Sequence, residues 1–176
     1  MARAKVPTLY PGRDEPEEEF VNTERLLRAW RRLGGNPLGR WVFNQFVRLA
    51  VPYSGSTSPR VQEISPGRAR VHLRDKRRVR NHLNSIHAIA LANVLELTSG
   101  LAMMAALSSD VRGIVRSLEV QYHKKARGLL EVTSECQPPS SLTENTEFLA
   151  TAEARDASGD VVSSISVTWI LGPTKR

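Results

Sequence analysis

One stretch of this chain carries residue types that could do chemistry. Asn81-His-Leu-Asn-Ser-Ile-His87-Ala-Ile-Ala-Leu-Ala-Asn-Val-Leu-Glu96 passes from polar groups into an apolar run and sets one carboxylate inside it. Glu96 is flanked by Val94, Leu95, Leu97 and Leu101. A carboxylate so placed reaches solvent along one edge of a helix, forms a buried structural hydrogen bond, or sits in a dry site. In the last case desolvation raises its pKa and makes it a stronger base. His87 stands nine positions earlier, near the expected helix start, where free backbone N–H groups and the helix dipole suit a developing negative charge. His82 and His87 taken singly are more often capping or packing residues than catalysts. With a single cysteine and no histidine cluster at ligand spacing, no metal site is expected.

The elements around this stretch can be read from periodicity. Residues 1–16, with Pro7, Pro11, Gly12 and Pro16, read as an extended or disordered leader with no assigned chemistry. From Glu17 to Leu33 the residues Phe20, Leu26, Leu27, Trp30 and Leu33 fall on helical spacing, and Gly34-Gly35 supplies a stop. Asn36 then reads as an N-cap with Pro37 at the first helical position. The apolar stripe that follows is Leu38, Trp41, Val42, Phe46, Leu49 and Ala50, and it completes a helical extension over residues 17–51. Packing of this stripe on the domain's own sheet or a sister subunit is the expectation. The other reading, a membrane-surface or partner helix, has only Arg40 and Arg48 to supply a basic face.

After a loop over 52–59, Val61–Ile64 and Ala69–Leu73 read as strands joined by the turn Ser65-Pro66-Gly67. His87 to Leu107 is rich in Ala, Leu and Met and apolar nearly all round, which predicts a buried central helix. The period then changes to two: Ile114, Leu118, Val120 and Tyr122 alternate with polar positions, as do residues in three later segments, giving four strands. The order is α+β: two cap helices, a hairpin, one long helix and an antiparallel sheet wrapped on it. A single curved sheet leaves strand edges unpaired, and pairing across a two-fold axis would cover them, so a dimer is expected.

Length and charge set outer bounds. At 176 residues and 19.6 kDa, one domain is expected. The net charge of +7 favours an anionic partner such as nucleic acid, a membrane surface or a phosphorylated cofactor. Cys136 alone excludes an internal disulfide framework and is compatible with a reducing compartment. No secretory signal is evident at the N-terminus, and Asn93, Glu96 and Gly100 interrupt the best candidate for a membrane span, so a cytoplasmic protein is expected.

Asn81, His87 and Glu96 at this spacing resemble the signature of hotdog-fold acyl-CoA thioesterases of the phenylacetate-pathway type. They are more similar still to an uncharacterised bacterial branch with an Asn-His…Thr-x-His-Ala start. The likeness takes in the Ser65-Pro66-Gly67 hairpin and the strand Val115–Tyr122 with Lys124 to Gly128, spanning about residues 58–171 of a hotdog domain over 58–176. It implies that Glu96 acts as general base or nucleophile on an acyl-CoA thioester and that the backbone N–H of Ala88 holds the oxyanion. It implies too that Asn81 orients water or the carbonyl, that His87 shapes the substrate end, and that facing subunits supply these groups in a homodimer or a dimer of dimers. No cofactor is implied beyond the coenzyme A of the substrate, whose phosphates would meet Arg78, Arg80, Lys124, Lys125 and Arg127, unless these are simply a solvated basic surface. The family often has Gly after the motif histidine or one place later, where this chain has Ala88 and Ile89, and many members carry Asp in place of Glu96; the bulkier Ile89 would narrow the acyl tunnel.

Three other functions compete with hydrolysis. A non-catalytic acyl-CoA-binding or regulatory hotdog protein would keep the pocket without turnover. A dehydratase is suggested by His82 fourteen positions before Glu96, but the Pro- and Gly-rich bend of those enzymes is replaced by Leu83-Asn-Ser-Ile-His-Ala-Ile-Ala. Nucleic-acid binding is suggested by Arg68, Arg70, Arg74, Lys76, Arg77, Arg78 and Arg80. With no aromatic residue among them, base stacking is not evident and no specific nucleic acid is expected.

Overall fold

The structure, a computed structural model, describes residues 23–139 and 141–174. The leader expected over 1–16 and the first part of the helix expected from Glu17 lie outside the described residues. Within them run α1 (Thr23–Leu33), α2 (Pro37–Ala50), α3 (Pro52–Ser56), β1 (Arg60–Ser65), β2 (Arg68–Arg74), a 3-10 turn (Arg77–Val79), α4 (Ala88–Ala106), β3 (Val111–Tyr122), β4 (Leu129–Glu135), β5 (Thr146–Arg155) and β6 (Val161–Pro173). The strands form one antiparallel sheet in the order β1-β2-β4-β5-β6-β3, wrapped on α4.

α4 forms because residues 88–106 are straight-chain or small helix formers with few β-branched members, and because the His87 side chain caps the start. Val94, Leu95, Ala102 and Met103 are fully enclosed, against Val61, Val71, Leu73, Val132, Val167 and Leu171 of the sheet. By length and composition this helix could cross a membrane, so Asn93, Glu96 and Gly100 do not disqualify it. What decides its place is that most of its residues are buried within the fold.

The β1–β2 hairpin turns at Pro66-Gly67, where Gly67 has φ +76° and a Cβ would run into the Cys136 carbonyl. Cys136 N donates to Gly67 O at 2.8 Å and Gly67 N donates to Ala102 O at 3.2 Å, tying the hairpin to the end of β4 and to α4. In β3 the register with β6 shifts between Val115 and Ser117. This bulge puts Val111, Gly113 and Val115 on the same face as Leu118, Val120 and Tyr122, and turns Ile114 to the other face. The expected unbroken alternation from Ile114 to Tyr122 is therefore corrected, since an extra residue inverts the parity of everything before it.

α2 begins as expected, with Asn36 Oδ1 accepting from Gly39 N at 2.8 Å and Pro37 at the first helical position. The stripe expected to pack does not lie against the domain's own sheet. Gly39, Phe43 and Val47 face inward, with Phe43 fully buried edge-to-face on Trp30 at 5.0 Å between ring centroids. Leu38, Trp41 and Leu49 of the expected packing stripe are 72%, 59% and 81% exposed, and Val42 and Phe46 are exposed too. α2 is apolar on two faces, and periodicity alone could not say which one would be covered. The segment Pro52–Ser56, expected as loop, is the short helix α3, begun by Pro52 at its first position.

Replacing Phe43 with Ala should cost about 3–5 kcal/mol of unfolding free energy, as for other buried Phe truncations. Leu49→Ala should stay within about 0.5 kcal/mol, as surface changes do. Urea unfolding of the two variants checks which face of α2 is load-carrying.

Candidate active site

The motif loop precedes α4 and is pinned from within. Arg80 bridges Ile86, Asn81 N donates to Ser85 O at 2.9 Å, Ile86 N to Ala126 O at 2.9 Å, and His87 N to Val79 O at 2.7 Å. Asn81 Oδ1 accepts from Leu83 N at 2.9 Å and from Ser85 N and Oγ at 3.3 and 3.2 Å, so its carbonyl oxygen is occupied by the loop and only its N–H₂ is left for a ligand. Asn84 takes the left-handed conformation, φ 52°, that asparagine tolerates better than most residues. His82 is exposed on this loop.

At the helix start, His87 Nδ1 accepts from Ile89 N at 3.1 Å. The imidazole is thus a cap, with its ring on the exterior. The Ala88 N–H, in the first helical position, has no acceptor among the described residues. Tyr122 Oη donates to the Ala88 carbonyl at 3.1 Å, joining the helix start to the edge strand, and burial pushes the Tyr122 hydroxyl pKa above its ordinary 10.0. Sequence reading placed Tyr122 only in a strand; nothing local in the sequence links it to a residue thirty-four positions away.

Asn81, Ala88, Tyr122, Lys124 and Lys125 line an open cleft of about 250 Å³ floored by Ile86, Leu91 and Ala126. Arg78, Arg80, Arg127 and Glu96 do not line it. Two of the expected phosphate-binding cations are already matched by acids. Arg80 Nε pairs with Asp75 Oδ1 at 2.6 Å, which holds the Asp75 pKa down. Lys124 Nζ pairs with Asp156 at 2.7 Å and Asp160 at 2.6 Å of the β5–β6 turn. Arg78, Lys125 and Arg127 are exposed and make no ion pair among the described residues.

Glu96 lies on the strip of α4 that the sheet leaves open. One turn earlier, Asn93 on the same strip is satisfied by α3, its Nδ2 donating to Ser54 Oγ at 3.1 Å and its Oδ1 accepting from Thr57 Oγ1 at 3.4 Å. The Glu96 carboxylate is mostly buried, has no such partner among the described residues, and its pKa is raised above the ordinary 4.5 by desolvation. Glu96 and Ala88 are eight residues apart, about 12 Å along the axis at about 1.5 Å per residue. Within one chain they cannot reach the same carbonyl.

A model for a domain of unknown function (DUF4442) matches residues 39–171. The chain belongs to the DUF4442 family. The match begins inside α2, so that helix is part of the family's domain, whereas the resemblance read from the sequence began near residue 58. No curated protein matches the chain. Among solved structures, a structural-genomics protein is similar over 86% of this chain and 99% of its own, at TM-score 0.73 and 25% identity. A Pseudomonas aeruginosa protein described as "Probable Thioesterase" is similar over 74% and 93% of the two chains, with TM-score 0.68 and 18% identity. A thioesterase family protein from Silicibacter pomeroyi gives 74% and 96%, TM-score 0.63 and 17% identity. The DUF4442 chain therefore has the hotdog fold of these structures.

Between pH 4.5 and the raised Glu96 value, the folded chain holds a proton that the unfolded chain has lost, so Glu96 lowers stability as pH rises through that window. Glu96→Gln should therefore raise the melting temperature at neutral pH, and the gain should vanish below pH 4.5. Thermal unfolding of both proteins across pH measures it.

Proposed function

We propose that the protein hydrolyses a thioester, with acyl-CoA as substrate, in a homodimer whose active sites each combine Glu96 of one subunit with the α4 start of the other. The observation that carries this reading is the mostly buried Glu96 carboxylate, raised in pKa and without a partner among the described residues, on a fold shared with proteins described as thioesterases.

Glu96 would take a proton from water as the oxygen attacks the thioester carbonyl. The Ala88 N–H would receive the oxyanion, and the carbon–sulfur bond would break to release coenzyme A thiolate, which regains the proton from Glu96. General-base catalysis of this kind contributes about 10²–10⁴ in rate, and one oxyanion donor about 10²–10³. The raised Glu96 pKa brings the base nearer to neutral pH, where its proton affinity counts.

The need for a second subunit follows from the roughly 12 Å between Glu96 and Ala88 along one helix. Support for where it would dock comes from β3. Among the described residues this strand pairs only with β6, and on its helix-side face Leu118 and Tyr122 are exposed beside the buried Ile165 and Val167. A second copy pairing along β3 would cover that face and approach Ala88, which Tyr122 touches. The phosphates of coenzyme A would find Lys125 at the cleft and, nearby in sequence, Arg78 and Arg127, which make no ion pair among the described residues, while Arg80 and Lys124 would first have to leave their aspartates. A dimer of dimers is compatible with the same site.

Glu96→Gln should keep the fold and oligomeric state while lowering kcat by about 10²–10⁴. In the wild type, kcat/KM should fall on the acid side with a midpoint above 4.5, and that limb should be absent from the residual activity of the variant. Thiol release from a panel of acyl-CoAs at several pH values measures both. Tight acyl-CoA binding with no turnover by the wild type would turn the reading to a sensor.

A further inference from the structure

The outward face of α2 is the largest structural feature that the hydrolase reading leaves unused. Leu38, Trp41, Val42, Phe46 and Leu49 recur at helical spacing on one stripe, all exposed, and Tyr53 of α3 continues it at 67% exposure. Exposed single apolar residues are ordinary, but a contiguous aromatic and aliphatic stripe on a soluble domain marks a surface meant to be covered. The helix is anchored by its other face, through Phe43 and Val47, so the stripe is held rigidly outward.

The charge around this stripe says what would cover it. Between Ala29 and Gln62 the chain carries Arg31, Arg32, Arg40, Arg48 and Arg60 and not one Asp, Glu or Lys; Asp14, Glu15, Glu17, Glu18, Glu19 and Glu24 precede that stretch and Glu63 follows it. None of these five arginines makes an ion pair among the described residues. Arg48 donates to Gln45 Oε1 at 3.1 Å at the flank of the stripe. Lys76 extends the same positive field: burial lowers its pKa, and so do the like charges of Arg78, Arg60, Arg74 and Arg48.

We propose that the outer face of α2 docks the protein on an anionic lipid surface, with Trp41, Phe46 and the neighbouring Leu and Val side chains entering the headgroup and acyl boundary while Arg48, Arg60 and Lys76 meet the lipid phosphates. A helix with one apolar stripe rich in Trp, Phe and Leu and basic residues beside it has the design of an interfacial helix. Each basic residue near an anionic surface strengthens partitioning about fivefold at low salt. A second copy of this chain is a poorer occupant, because a two-fold contact through the stripe would bring Arg48 and Arg60 of both copies together with no acid to separate them. A nucleic acid would satisfy the arginines yet leave Leu38, Val42 and Leu49 against a polar polymer. The inference uses neither Glu96 nor the cleft, and its test needs no turnover.

Flotation of the full chain with phosphatidylcholine vesicles, with and without phosphatidylglycerol, reads the docking directly. Binding should require phosphatidylglycerol, weaken with added sodium chloride, and shift the tryptophan emission to the blue in the wild type but not in Trp41→Phe. The double variant Trp41→Ser with Phe46→Ser should keep the wild-type melting curve and bind at least about tenfold less. Arg48→Gln should bind anionic vesicles about fivefold less. The proposal is overturned by absence of flotation, by equal binding to neutral vesicles, or by retained binding in the double variant. It is overturned too if the wild type forms an oligomer that the double variant lacks while neither binds vesicles, or if RNA binds and is insensitive to the double variant.

Discussion

The structure depends on the burial of α4. A helix apolar nearly all round is stable in water only when other elements enclose it, and the six-stranded sheet, with α1 and α3, covers most of it. The strip left open fixes where polar chemistry can lie on the helix. Asn93 on that strip is answered by Ser54 and Thr57 of α3. Glu96, one turn on, is not answered, and its raised pKa is the direct electrostatic result.

The second end of the candidate site is governed by the loop before α4. Asn81 closes that loop, His87 caps the helix, and Tyr122 reaches across from β3 to the Ala88 carbonyl. Three polar side chains thus have structural work at the helix start, and what they leave open is the Ala88 N–H. The bulge in β3 has a related effect. By inverting the strand's parity it brings Leu118, Val120 and Tyr122 to the helix-side face at an edge that no other described strand pairs, which is where the proposed second subunit would bring its own Glu96.

The N-terminal helices divide their apolar surface between two tasks. Phe43 and Val47 complete the core over Trp30 and the start of the sheet, and α3 supplies the groups that satisfy Asn93. The opposite face of α2 contributes nothing to the core. Its proposed role at a lipid surface would place the molecule where amphiphilic thioesters partition, without touching the residues proposed for hydrolysis.

Much of this was legible in the sequence because it is local. The long Ala- and Leu-rich run has one stable outcome, the Asn36-Pro37 pair sets a helix start, and Pro66-Gly67 sets a turn, since each depends on neighbours a few residues away. The spacing of Asn81, His87 and Glu96 likewise pointed to the residues of the proposed site. What the sequence could not carry is whatever depends on which surfaces meet: the inward turn of Phe43 in place of Trp41, the helix at Pro52–Ser56, the parity change in β3, and the reach of Tyr122 to Ala88. It could not foresee that Arg80 and Lys124 find aspartates before any phosphate. Patterning of apolar residues determined which segments would be helices and strands, because that follows from period alone. Only the tertiary structure decided which side of each was buried and how far apart Glu96 and Ala88 lie, because burial is a property of two surfaces and periodicity describes one.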